Sequence, residues 1–120
     1  MDQNEKKAKI DSAIKAHLEW FKRLKSTVNT GKSDFKPEIV CKDNLCDFGK
    51  WIYTDLKNIC DDKSFEEIKS LHAQFHKKAS EVLVLALEGK KDLVEKEISL
   101  SSNSDLIQLS GKLVLLLRQL

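Results

Sequence analysis

Residues 64–89 read SFEEIKSLHAQFHKKASEVLVLALEG, and the spacing of their apolar positions decides the fold. Phe65, Ile68, His72, Phe75, Ala79, Val82 and Ala86 recur every three or four residues, so they share one face of a helix. Leu71, Leu83 and Leu87 widen that stripe to the breadth a bundle core needs. Ser64 and Glu67 have the spacing of a capping box and predict the helix start. Gly89 predicts where the helix ends or bends.

The same period continues on either side. Ile10, Ile14, His17, Phe21, Leu24 and Val28 step by four and three, which predicts a helix from about Asn4 to Val28. Asn29-Thr30-Gly31 closes it, with Gly31 suited to a left-handed helix stop. Lys32 to Asp43 contains Phe35 and the single proline, Pro37, and reads as a crossing loop. Asp43 or Asn44 is a candidate cap for a second helix through about Asn58, with Leu45, Phe48, Ile52, Leu56 and Ile59 on its apolar side. From Asp92 a last helix carries Leu93, Val94, Ile98, Leu106, Ile107, Leu113, Leu117 and Leu120, with Ser101-Ser102-Asn103-Ser104 as the place where it breaks in two. These elements predict an all-α protein, a four-helix bundle with room for a short extra helix, in a single domain over 1–120.

Composition agrees with that class and excludes others. Hydrophobic residues make up 41% of the 120 positions and charged ones 33%, with four glycines, one proline and one tyrosine. The 21 basic and 19 acidic residues are mixed along the chain and leave a net charge of +2. A nucleic-acid binder or a protein of anionic membrane surfaces would concentrate its basic residues on one face. Neither a secretory apolar region nor a membrane-length apolar span is present, so no membrane insertion is expected. The three cysteines read as thiols of a cytoplasmic protein, not as a disulfide framework.

All the chemistry is concentrated in few residues. His72 and His76 stand four apart on one helical face, close enough for both rings to reach one metal ion. Taken alone, such a pair is weak evidence, and solvated or core-packed histidines are its ordinary reading. His17, the third and last histidine, occupies a core position between Ile14 and Phe21. A lone imidazole there would need a partner such as a backbone carbonyl; a metal shared with His72 is the alternative. Cys46 falls in the first turn of the second helix, where exposed N–H groups favour a thiolate. Three imidazoles and one thiolate make a closed shell for Zn²⁺. Cys41, in the connector, and Cys60, at a helix end, read as structural or solvent thiols.

Three segments, read together, resemble a known family. His17-Leu18-Glu19-Trp20, Leu45-Cys46-Asp47-Phe48-Gly49-Lys50-Trp51 and His72-Ala73-Gln74-Phe75-His76 are similar to the bacterial chemoreceptor zinc-binding (CZB) domain: a His followed by an aromatic, a Cys-x-apolar-Gly-x-aromatic element, and HxxxH, in that order. The resemblance covers roughly Asp11 to Gly89. It implies a cytoplasmic bundle holding one zinc through His17, Cys46, His72 and His76. It further implies a regulatory role, in which zinc, or an oxidant acting on the bound cysteine, is reported to an attached diguanylate cyclase or chemoreceptor. Lys36-Pro37-Glu38-Ile39 and Ala16-His17 look more like the cyclase-linked or stand-alone members. Chemoreceptor members often carry an aspartate where Ala16 stands, a departure that bears on oxidant reactivity dependent on such a carboxylate.

A closed shell offers no position for an activated water, and the chain has no paired carboxylates, phosphate loop or serine nucleophile, so no enzyme is expected. The expected function is a zinc sensor domain, working as a homodimer, in which metal occupancy or oxidation of Cys46 shifts the bundle. The alternative is a helical dimerisation module with a purely structural zinc, recruiting its partner helix through Leu106, Leu113, Leu117 and Leu120.

Overall fold

The computed structural model describes residues 3–33, 35–42, 48–99 and 103–120 in full, and residue 47 by its backbone. All regular elements among them are helical, as expected: α1 (Gln3–Thr30), α2 (Pro37–Val40), α3 (Asp47–Thr54), a 3-10 turn (Leu56–Asn58), α4 (Asp62–Leu87), α5 (Lys91–Ile98) and α6 (Asp105–Arg118). The long dimension of 44 Å is close to what the 28 residues of α1 span at about 1.5 Å each.

Two apolar clusters, one at each end of the bundle, define how the helices run. Ile10, Ile14 and Ala13 of α1 meet Ile68 of α4, Leu113 and Leu117 of α6, and Phe48, Trp51 and Ile52 of α3. At the other end Trp20, Leu24 and Val28 of α1 meet Val82, Leu83 and Ala86 of α4, Leu106 of α6 and Val94 of α5. The early residues of α1 and α4 therefore lie together, as do their late ones, so these two helices are parallel and α6 is antiparallel to both. Parallel neighbours need a return crossing, and the segment with α2, α3 and the 3-10 turn supplies it. Leu24, Ile52, Ile68, Leu83, Leu106 and Val94 are fully enclosed. Each aliphatic side chain buried in this way stabilises the fold by roughly 1.5–3 kcal/mol.

Several boundaries differ from the expectations, each for a local reason. The crossing segment is not all loop: Pro37 opens α2 at a position where its missing N–H costs nothing. Helix α4 starts before Ser64. Asp61 is extended and its carboxylate accepts the Ser64 N–H at 2.7 Å, so Asp61 is the cap and Ser64 lies inside the first turn. The second helix stops at Thr54, whose hydroxyl bonds back to the Lys50 carbonyl, and only the 3-10 turn continues toward Asn58. Its expected caps, Asp43 and Asn44, and Leu45 lie outside the described residues.

Other expectations hold. Gly31 and Gly89 both take positive φ, at 73° and 75°, and end α1 and α4 as left-handed stops. The last helix is divided into α5 and α6. Ser104 begins α6 by accepting the Ile107 N–H and donating to the Glu97 carbonyl at 2.6 Å, behind Asn103 at φ 54°.

The leucine seam proposed for a partner helix is used within the chain. Leu106, Leu113 and Leu117 are almost fully buried, in contact with α1 and α4, and Leu120 packs on the same cluster. Leu87 and Leu93, expected to face the core, are 39% and 46% exposed. No helix among the described residues is long and apolar enough to cross a membrane.

Candidate metal centre

Between the two apolar clusters lies a layer of imidazoles. His17 of α1 and His72 and His76 of α4 are all buried, with exposures of 4%, 0% and 4%. The parallel course of α1 and α4 is what brings the middle of one helix beside the middle of the other. Ring centroids are 4.9 Å apart for His17 and His72, 4.5 Å for His72 and His76, and 5.6 Å for His17 and His76. One ligand atom from each of the three lies within 4.8 Å of the others. Tetrahedral coordination at about 2.0–2.1 Å places ligand nitrogens about 3.4 Å apart, so the rings would draw closer on one ion.

Two backbone carbonyls set the tautomers. The Nδ1 of His17 stands 2.6 Å from the Ala13 carbonyl, one turn back on the same helix. The Nδ1 of His76 stands 2.9 Å from the Val40 carbonyl on α2. A carbonyl only accepts, so both Nδ1 atoms carry the proton and both Nε2 atoms present a lone pair. Nε2 of His17 is buried with no hydrogen-bond partner among the described residues. Such an atom costs about 1–3 kcal/mol unless something binds it. A cation accepting three imidazole lone pairs removes that cost, so the residues present fit a metal.

The surroundings keep these rings neutral. Burial pushes the His72 pKa down to about 2, with the neighbouring His76 and His17 adding to the effect. Burial likewise lowers His17 to about 4, against the opposing pull of the Ala13 carbonyl and with small contributions from His76 and Arg23. Neutral imidazole is the form that coordinates a metal. Phe48 sets its ring edge-on to both His17 and His72, at 5.5 and 5.1 Å, and Phe75 closes on His17 at 5.3 Å. These rings exclude water from one side of the layer.

Of the four expected ligands, His17, His72 and His76 come together, and Cys46 lies outside the described residues. Cys41 is exposed and Cys60 half-buried at the end of the 3-10 turn, where burial and the adjacent Asp61 raise its thiol pKa. A cavity of about 380 Å³ opens on His17 and His76, walled by Trp20, Phe35, Phe48 and Trp51. Trp20 and Trp51 thus line the cavity while serving as core aromatics. Sequence reasoning missed the Val40 carbonyl, because a backbone group leaves no residue signature.

The profile of the chemoreceptor zinc-binding domain matches residues 17–83, more than half of the chain and the whole interval from His17 past His76. The chain belongs to the chemoreceptor zinc-binding domain family. Zinc is accordingly the cofactor of this domain, and His17, His72 and His76 form a cluster able to hold a metal ion. Membership makes the protein a zinc-binding sensor domain of a regulatory family. No match was found among curated proteins or among solved structures.

Proposed function

We propose that this domain holds a single Zn²⁺ through Nε2 of His17, Nε2 of His76, a ring nitrogen of His72 and the thiolate of Cys46, and that zinc occupancy sets the conformation read by a signalling output. Nε2 of His17, buried with no hydrogen-bond partner among the described residues, in a ring clustered with those of His72 and His76, is the observation that carries this reading. Support for Cys46 comes from chain continuity. Lys42 and Phe48, which bracket the stretch containing it, both line the cavity that opens on His17 and His76.

When bound, zinc would supply a fixed divalent charge and a tie between α1, α4 and the chain at Cys46, with no open position for a reacting water. The protein's own groups do the rest. His17 and His76 are oriented by carbonyls, His72 is enclosed, and the aromatic rings keep the layer dry. Withdrawal of Cys46, by metal loss or by a peroxide that transfers one oxygen atom to its sulfur and leaves as water, removes the thiolate ligand and with it a tie between the crossing segment and the α1–α4 pair. The output is a diguanylate cyclase or chemoreceptor module, acting with the domain as a homodimer. The α6 leucines give no support to a module whose purpose is to recruit a helix, since they are enclosed by α1 and α4.

The test compares zinc-loaded and chelator-treated protein by amide exchange and thermal midpoint. Zinc is expected to raise the midpoint and to slow exchange in the crossing segment. Identical exchange and midpoint in the two forms would remove the sensor mechanism.

A further inference from the structure

The segment that leaves α1 and leads to Cys46 is fastened to α4 at two points, one turn apart on each side. Ser80 Oγ donates to the Pro37 carbonyl at 2.9 Å, and His76 Nδ1 donates to the Val40 carbonyl at 2.9 Å. Pro37 and Val40 are the first and last residues of α2, and Ser80 follows His76 at i+4 on α4. The two helices thus meet in opposite directions, Pro37 beside Ser80 and Val40 beside His76. A helix of four residues cannot satisfy its own last carbonyls, so the Val40 oxygen is available to a side chain.

The bond made by Ser80 is unusual within this chain. Hydroxyls inside helices ordinarily bond back to the carbonyl four residues earlier. Thr27, Thr30 and Thr54 all do so, to Arg23, Ser26 and Lys50. Ser80 instead reaches across to another segment. Its neighbour in the arrangement, Val40, is 5% exposed and sits in the same apolar cluster as Phe75 and Ala79. Further back on the strap, Phe35 lies edge-on to Trp20 at 5.1 Å, with the Arg23 guanidinium 4.6 Å from the Phe35 ring.

We infer that Ser80 is a positioning residue for the zinc ligand His76, and that the α2 strap is the element zinc fastens. Ser80 holds α2 in the register that puts the Val40 carbonyl on His76 Nδ1. That carbonyl fixes the ring's orientation and leaves Nε2 as the unprotonated nitrogen turned to the metal site. Linkage makes the effect reciprocal: a metal ion on Nε2 removes the ring's freedom to turn or to change tautomer, and so tightens the bond to Val40. This inference rests on the zinc reading above and names the part of the fold through which it acts.

The test uses the full chain as wild type, Ser80→Ala and Ser80→Thr, each loaded with one equivalent of zinc. Zinc transfer to a competing chromophoric chelator is timed, and amide exchange is followed at Ile39, Val40, Cys41 and Lys42, whose N–H groups bond within the strap. Ser80→Ala is expected to release zinc about tenfold faster, the lower end for loss of a partner outside the ligand shell. Exchange at the four strap amides should rise in the zinc form, while α4 amides flanking the substitution stay protected. Chelating the wild type should produce the same rise, and Ser80→Thr, which keeps the hydroxyl, should return both readouts to wild type. A Ser80→Ala protein that releases zinc at the wild-type rate overturns the role of Ser80, as does equal loss in Ser80→Thr. Strap exchange indifferent to zinc overturns the coupling. Wild-type protein that retains no zinc at all would be a different failure, that of the zinc reading itself.

Discussion

His17 and His72 meet with ring centroids 4.9 Å apart in the plane that divides two apolar clusters, although they come from separate helices. Their meeting follows from the parallel course of α1 and α4. The intervening chain must then return along the bundle, and it passes over the imidazoles on the way. A domain built like this brings its three histidines together by topology.

Cysteine substitution separates Cys46 from the other two thiols. Cys46→Ala should lower zinc retention during dialysis against a chelator by at least an order of magnitude, leaving three neutral imidazoles. Cys41→Ala and Cys60→Ala should retain zinc as the wild type does, since one is exposed and the other lies beside Asp61, outside the histidine cluster. Metal content per chain after dialysis is the readout. Equal loss in all three variants would remove Cys46 from the shell.

Acid should destabilise the metal-free protein earlier than a carboxylate-driven transition would. His17 and His72 are held neutral in the fold, near pKa 4 and 2, against an ordinary value of 6.5. The unfolded chain therefore binds more protons below pH 6.5, and stability present above that pH is lost as pH falls. Each group contributes a slope approaching about 1.4 kcal/mol per pH unit, down to pH 4 for His17 and lower for His72. Urea unfolding in chelator at pH 7.5, 6 and 5 measures it. Stability independent of pH across that range would mean that the imidazoles are not buried as described.

Two leucines two residues apart on α6 test what that helix is for. Leu113 is 1% exposed within the cluster shared with Ile10 and Ile68, whereas Leu115 is 59% exposed. Leu113→Ala should cost roughly 2–5 kcal/mol of folding stability. Leu115→Ala should stay within about 0.5 kcal/mol of wild type. Chemical denaturation of both variants at fixed protein concentration checks the pair. The opposite ranking would restore the reading in which the buried-type leucines await a partner helix.

Much of this arrangement is legible in the residues, and the gaps have physical causes. The stripe from Ile10 to Val28 and that from Ile68 to Ala86 predict both long helices and their inward faces, because period alone fixes a helical face. The histidine set could be read because His17 and His72 fall on those stripes. Helix direction could not, since a stripe has no polarity. The spacing of Ser64 and Glu67 points to Ser64 as the cap; the observed cap at Asp61 adds three residues of helix. The leucines of α6 illustrate the limit of composition. Leu106, Leu113 and Leu117 have the pattern of an interface, and whether the interface is internal depends on a helix far away in the chain.

X-ray absorption at the zinc edge of the purified protein tests the central claim most directly. The account predicts a four-coordinate ion with three nitrogen ligands at about 2.0–2.1 Å and one sulfur at about 2.3 Å, and no sulfur in Cys46→Ala. A shell without sulfur in the wild type, one with two sulfurs, or a sulfur that persists in Cys46→Ala would contradict it.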